Sequence, residues 1–304
     1  MKTRILLTGS NGLVGQTLLR KLAGFQDLDL MVTSLHENRY PYKEGYRFWA
    51  CDLSDPQAVN SLITGFNPDC IIHTAAMTQV DPCETDPEAC RKANVLATAN
   101  LATAASNVGA RFIYLSTDFV FDGRQGPYSE EDTPSPVSHY GTTKLEGERI
   151  VRESGVHWAI VRTILVYGLA PYMGRTNLVL WVRDALSRRE PIRVVNDQFR
   201  MPTLVDDLAT AVTEIMTRRA QGIYHVCGPE MLSVYEMAVR VARHFKLDEA
   251  LISPVSSRTL NQTGMRPPST GFVLEKARRD LNYRPHTLEE GLRHLEVLLN
   301  NQTA

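Results

Sequence analysis

The 304-residue sequence predicts an α/β fold, a doubly wound parallel sheet with a smaller C-terminal lobe, and three observations carry that expectation. Short β-branched or apolar runs alternate with longer helical patterns through the first half, the signature of parallel strands joined by crossover helices. A glycine-rich turn, Gly9-Ser-Asn-Gly12-Leu-Val-Gly15, stands between the first run and the first helix. Beyond Thr163 the rhythm changes to helical patterns around one isolated strand.

Strands are expected, in order, at Arg4–Thr8, Leu28–Thr33, Tyr46–Ala50, Cys70–His73, Arg111–Leu115 and His157–Thr163, most of them bounded by Gly, Asn or Pro. Helices are expected near Gly12–Ala23, Pro56–Thr64, Pro87–Asn107 and Ser138–Glu153. The second of these has Asp55 as its N-cap and Pro56 in its first position. In the second half, Arg175–Arg189, Thr203–Arg218, Ser233–Phe245 and Thr287–Leu299 look helical, and Gly222–Val226 reads as the isolated strand. Thr203 and Asp206 fit a capping box at their helix start.

Composition narrows the function. With 33 basic against 34 acidic side chains and a net charge of −1, nucleic acid is an unlikely partner, because phosphate-backbone binding leaves a basic excess. A single phosphorylated ligand stays open. Five cysteines, Cys51, Cys70, Cys83, Cys90 and Cys227, are scattered without a C-x-x-C, so free thiols in a reducing compartment are expected, with neither a disulfide framework nor a metal site. Ile5–Leu7 is too short for a signal peptide, and Arg162 splits the longest apolar stretch, so a soluble, cytoplasmic protein without a membrane partner is expected.

The glycine turn lets backbone approach a pyrophosphate and aims helix amides at its charge. Chance alone expects about 0.07 such spacings in a chain with this glycine content, and the position between strand and helix is the required context. Residues 1–165 are therefore read as a Rossmann-like dinucleotide-binding domain and 166–304 as a substrate-binding lobe, with Gly222–Val226 a candidate to rejoin the main sheet. An acid at the end of the second strand would favour NADH. Asp29 lies at the start of that strand instead, and its end reads Thr33-Ser34-Leu35-His36, so NADPH is expected, with NADH the alternative. Asp52 has two readings, an adenine acceptor or a turn cap before Asp55-Pro56.

Tyr140-Gly-Thr-Thr-Lys144 places a phenol and an ammonium four residues apart, on one face of a helix. The pair opens the helix after the fifth strand, whose carboxyl end carries Ser116-Thr117-Asp118, and ligands of open parallel sheets bind at that end. Tyr140 would give a proton to a carbonyl oxygen, Thr117 would hydrogen-bond the same oxygen, and Lys144 with an oxidised nicotinamide would ease ionisation of the phenol. Asn94 reads equally as exposed helix surface or as part of the lysine's support. His73 reads as a core histidine, His139 as pointing away from the site, and Glu130-Glu131-Asp132 as a solvated rim.

The blocks Ala75–Asp81 (AAMTQVD), Ser116–Gly123 (STDFVFDG), Tyr140–Glu148 (YGTTKLEGE), Arg162–Gly168 (RTILVYG), Pro202-Thr203 and Arg266-Pro267-Pro268 occur in an order that spans most of the chain. Together with the glycine turn they resemble the dTDP-4-dehydrorhamnose reductase branch of the extended short-chain dehydrogenase/reductase family. The resemblance implies a reductase of a nucleotide-linked 4-keto-6-deoxysugar, with Tyr140 as proton donor, Lys144 on the nicotinamide ribose and Thr117 adjusting the phenol. It implies cofactor contacts at Gly12-Leu13-Val14, Asp52-Leu53 and Ala75-Ala76-Met77, joined to Gly9, Asn11, Gly15 and Ser34 from the turn and the second strand. Thr117 and Asp118 would meet substrate, and Leu165 holds the position where the family carries a Trp that touches the sugar nucleotide. Arg266 on its rigid Pro-Pro segment is a candidate diphosphate clamp, and Arg175 with Asn177 a candidate auxiliary pair. A homodimer is expected from the superfamily. Related chemistries, an epimerase or dehydratase with held NAD, and a non-catalytic NADP-binding regulatory subunit of a methionine adenosyltransferase, are the alternatives.

Overall fold

The β-branched and apolar runs of the first half become buried strands with helices on both faces. In the computed structural model, which describes residues 2–260 and 262–303, this half contains β1 (Thr3–Thr8), α1 (Leu13–Leu22), β2 (Leu28–Ser34), β3 (Arg47–Ala50), α2 (Pro56–Phe66), β4 (Cys70–His73), α3 (Val80–Thr85), α4 (Pro87–Arg91), α5 (Ala97–Val108), β5 (Arg111–Thr117), α6 (His139–Glu153) and β6 (Trp158–Thr163). The rest contains β7 (Val166–Tyr167), α7 (Leu178–Ser187), β8 (Ile192–Val195), β9 (Phe199–Arg200), β10 (Thr203–Leu204), α8 (Val205–Thr217), β11 (Gly222–Val226), β12 (Leu232–Ser233), α9 (Val234–His244), β13 (Ile252–Val255), β14 (Ser269–Thr270), α10 (Glu275–Leu281) and α11 (Leu288–Thr303).

The central sheet is parallel, in the order β11-β6-β5-β4-β1-β2-β3, which is doubly wound about β1 and β4. Gly222–Val226 pairs with Ala159–Thr163 of β6, so the isolated strand of the second half lies in the main sheet. Strands β1, β4 and β5 are apolar on both faces because helices cover both, and Ile5, Leu6, Leu7, Ile71 and Ile72 are fully buried. One core cluster packs α1 and α8 on one face, and a second packs α2 and α5 on the other. A third core of Val182, Leu186, Val241, Leu292 and Leu295 holds α7, α9 and α11 together in the second lobe. No helix among the described residues is long and apolar enough to cross a membrane.

Local chemistry sets the helix ends. Asp55 accepts from the Gln57 and Ala58 amides and Pro56 follows it, so α2 starts where the sequence places it. Ser233 and Glu236 form a reciprocal capping box at α9. The capping box expected at Thr203 and Asp206 does not form. Thr203 is spent in β10, where its hydroxyl donates to Ile164 O at 2.5 Å, and α8 begins after Leu204 without a side-chain cap. Asp206 pairs instead with Arg20 of α1 at 2.6 Å.

Two further expectations are corrected. The helix expected over Pro87–Asn107 is broken into α4, a π-helical turn at Lys92–Leu96, and α5. Of the five cysteines, Cys83 and Cys90 form a disulfide, while Cys51, Cys70 and Cys227 are free and buried. The pairing follows from α3 and α4 meeting at Asp86, which brings the two Cα atoms to 5.1 Å; spacing along the sequence gave no hint of that turn.

Candidate active site

Site construction begins at the glycine turn. A Cβ on Gly15 would lie 2.1 Å from Gly9 O, and one on Gly9, whose φ is +72°, would lie 2.6 Å from Ala75 N, so neither position admits a side chain. Gly12 is exposed, caps α1, and is the least crowded of the three, with 3.4 Å to its nearest atom. The turn thus offers an open backbone approach to the N-terminus of a ten-residue helix whose first turn carries no acid. These residues fit a dinucleotide pyrophosphate. Leu13 and Val14 are half-buried beside it.

Asn11 and Ser34, from the turn and the second strand, are brought together. The Asn11 amide donates to Ser34 Oγ and to Glu37 O, both at 2.8 Å, and accepts from the Arg39 amide at 2.9 Å. Only hydroxyl, amide and backbone groups make this cluster, with no carboxylate in it. Asp29 is paired with Arg47 at the other end of β2. Gln16 of α1 ties the turn to the second lobe, donating to Asn11 O and Tyr172 O while accepting from the Tyr172 amide.

Asp52 follows β3 and accepts from both the amide and the hydroxyl of Ser54, which hold its carboxyl below the usual range. These bonds form the turn cap before Asp55-Pro56. Leu53 is buried, and its carbonyl accepts from Asn100. After β4, Ala75, Ala76 and Met77 are half-buried. Asn94, which sequence reasoning left balanced, is 1% exposed and grips Met77 at both ends: its Oδ1 accepts from Met77 N at 2.8 Å and its Nδ2 donates to Met77 O at 3.0 Å. It also donates to Thr143 Oγ1 at 3.0 Å, so the π-helical turn joins the β4 loop to α6. His73 is a satisfied core histidine between Thr8 and Thr98.

Thr117, Tyr140 and Lys144 converge at the carboxyl end of β5. Ser138 caps α6 by accepting from the Gly141 amide, which fixes Tyr140 in the first turn and Lys144 one turn on. All three are buried, and Thr117 lies close enough to Tyr140 to act on its phenol. Burial pushes the phenol well above its ordinary value, with Thr117 pulling it down and the Asp118 charge adding to the rise. Burial brings the Lys144 ammonium down to about 7, against the opposing charge of Glu148. Its Nζ sits 4.0 Å from the Tyr114 ring centre.

Asp118 is buried, and burial raises its carboxyl against the pull of Arg200, Thr270 and Thr117. Thr117 Oγ1 donates to Asp118 Oδ1 at 3.0 Å, Thr270 donates to Oδ2, and Arg200 Nε stands 3.7 Å away. Arg200 was not singled out from the sequence. It lies on a two-residue strand with no motif of its own, and its Nη atoms also donate to the carbonyls of Phe199, Pro267 and Pro268.

The remaining substrate candidates separate. Arg266 is forked onto Asp81 at 2.9 and 3.0 Å, so its guanidinium is already engaged by a carboxylate of α3. Arg175 is exposed in the loop before α7. Asn177 caps α7 through Leu180 N and donates to Gly168 O, which uses both ends of its amide locally. Leu165 is half-buried at φ +38°, a left-handed conformation uncommon for a branched side chain. His139 turns to Pro87 O, away from the cluster. Glu130 is not merely solvated: it accepts from the His225 amide.

Comparison with known proteins extends these observations. Methionine adenosyltransferase 2 subunit beta of Rattus norvegicus is 33% identical over 258 residues, 83% of this chain and 75% of the relative. Spore coat polysaccharide biosynthesis protein SpsK of Bacillus subtilis is 29% identical over 294 residues, 96% of each chain. The crystal structure of dTDP-4-dehydrorhamnose reductase from Bacillus anthracis in complex with NADP superposes with a TM-score of 0.85 at 28% identity, covering 98% of this chain and 100% of that one. UDP-glucose 4-epimerase of Thermotoga maritima superposes at 0.87 with 20% identity, a likeness of fold alone. A family model described as the RmlD substrate binding domain matches residues 3–299, and the chain belongs to that family.

Proposed function

We propose that this chain is an NADPH-dependent reductase of a nucleotide-linked 4-keto-6-deoxysugar. The observation that carries the reading is the buried Thr117, Tyr140 and Lys144 cluster at the sheet end beside an open glycine turn. The turn at Gly9, Gly12 and Gly15 would hold the pyrophosphate. Leu53 and Ala75 to Met77 would line the dinucleotide, with Asp52 beside the adenine. The carboxylate-free pocket of Asn11 and Ser34 would accept a 2′-phosphate without repulsion, hence NADPH over NADH. Bound there, the nicotinamide supplies hydride to the carbonyl carbon.

Tyr140 gives its proton to the carbonyl oxygen as negative charge develops on it. Thr117 would turn its hydroxyl from Asp118 Oδ1 to donate to the same oxygen. Lys144, in its protonated form, binds the nicotinamide ribose and offsets the phenolate left behind. Thr117, Asp118 and Leu165 face the sugar in this reading, with Arg175 and Arg266 toward its diphosphate once Arg266 exchanges Asp81 for the ligand.

A panel of nucleotide-linked 4-keto-6-deoxysugars, followed by loss of NADPH absorbance, tests the reading. Turnover with at least one member, and a lower dissociation constant for NADPH than for NADH, are expected. A second reading is favoured by the 33% identity to methionine adenosyltransferase 2 subunit beta: a subunit that binds NADP without turnover. NADPH binding, silence across the whole panel and stoichiometric association with a methionine adenosyltransferase would establish it instead.

A further inference from the structure

We propose that Glu148, held by Arg162, is a positioning residue that sets the charge of Lys144, and that the two partners act on the lysine in opposite directions. The inference deepens the reading above, since it takes Lys144 as part of the reaction site. Lys144 and Glu148 stand four residues apart on α6 and share its buried face, at 3% and 1% exposure. A buried ammonium needs a counter-charge, and Glu148 is placed to provide it.

Glu148 is not free to serve Lys144 alone. Arg162 of β6, itself 1% exposed, forks it through Nε to Oε1 at 2.9 Å and Nη2 to Oε2 at 2.7 Å. Ser116, the neighbour of Thr117 on β5, donates to the same Oε1 at 2.5 Å. The carboxylate is therefore bound by one buried cation while its charge also acts on a second, Lys144, one helical turn away, and the trio carries a net positive charge in a dry interior. The other groups facing it do not balance that charge. On β4, burial keeps His73 neutral down to about 3. On β11, burial also keeps His225 neutral, its Nε2 3.4 Å from Arg162 Nη1. On β5 the Tyr114 ring lies under the ammonium, and on α6 Tyr140 is held un-ionised by burial. Burial brings Lys144 down to about 7, and the Glu148 charge, already forked by Arg162, offsets only part of that fall.

Removing Glu148 takes away the lysine's anion, so the ammonium should release its proton at lower pH. Removing Arg162 gives the whole carboxylate to Lys144, so it should keep its proton to higher pH. A pair with only a structural role would lower stability in both variants and leave the titration of Lys144 in place.

The chain has seven lysines, so 13Cε-lysine labelling gives a sparse spectrum in which Lys144→Met identifies the resonance. The titration midpoint is expected near 7 in the natural chain, lower by about one unit in Glu148→Gln, and higher in Arg162→Met. Movement of both variants in the same direction, or of neither, overturns the proposal. Since either single change strands a buried charge, Glu148→Gln/Arg162→Met is the variant expected to fold in any case. It should place Lys144 below the natural chain, and a midpoint at or above it overturns the proposal. With a keto-sugar substrate, Glu148→Gln should lose about tenfold in kcat at slightly alkaline pH with KM unchanged, and regain it on acidification. If the natural chain turns over no keto sugar, the functional reading falls while the lysine titration still decides this inference.

Discussion

At the scale of single residues, burial dominates the electrostatics. Lys144 and Tyr140 are both pushed toward their neutral forms, and the groups that oppose this, Glu148 for the lysine and Thr117 for the phenol, are close neighbours. His73 shows the same force in the core of the sheet. It is 1% exposed, held between two threonine hydroxyls, and neutral down to about 3 against an ordinary value of 6.5. Between those values the unfolded chain binds a proton that the folded chain refuses, so stability present above 6.5 is lost as pH falls, at up to ~1.4 kcal/mol per unit. His73→Gln keeps the hydrogen bonds without the titration. Urea unfolding at about pH 7 and about pH 4 should show the natural chain losing more stability than His73→Gln, and parallel losses would contradict the assignment.

At the scale of elements, the glycine turn and the helices that follow it make contrasting predictions. Gly15→Ala drives a methyl to within 2.1 Å of Gly9 O, so the turn must open; a weaker NADPH dissociation constant by tenfold or more and a loss of about 1–3 kcal/mol are expected. Gly65 in α2 has nothing within 4 Å of its would-be Cβ, and Gly65→Ala should raise stability by about 0.5–1 kcal/mol without touching cofactor affinity. Calorimetry of both variants, with and without NADPH, checks the pair. Elements of this kind were legible because one position carries the information: Asp55-Pro56 starts α2, and the strand runs of β1, β4 and β5 are apolar on both faces. Thr203 misled because a threonine three residues before an acid describes a capping box whether or not its hydroxyl is already used, here on Ile164 O. The Cys83 and Cys90 pair and the π-helical turn at Asn94 were not legible, since both depend on how short helices meet rather than on periodicity.

At the scale of the whole molecule, the second lobe reaches the candidate site through contacts that no local pattern announces. Arg200 on β9 and Thr270 on β14 both address Asp118, next to Thr117, while Tyr172 is latched to Gln16 beside the glycine turn. Thr117, Tyr140 and Lys144 could be named from the sequence because they lie on one strand end and one helix. Arg200 could not, because its partner is 82 residues away in the chain. Arg200→Met leaves the Asp118 carboxyl buried without its cation and should cost about 3–5 kcal/mol in urea unfolding. Arg266→Met breaks a more exposed pair with Asp81 and should cost much less.

The central claim is that Tyr140 supplies the proton for reduction of a keto sugar by bound NADPH. A single-turnover measurement of NADPH absorbance, with saturating nucleotide-linked 4-keto-6-deoxysugar and either the natural chain or Tyr140→Phe, tests it most directly. The account predicts a rate at least 100-fold lower in Tyr140→Phe with its NADPH dissociation constant unchanged. Equal rates in the two proteins would contradict it.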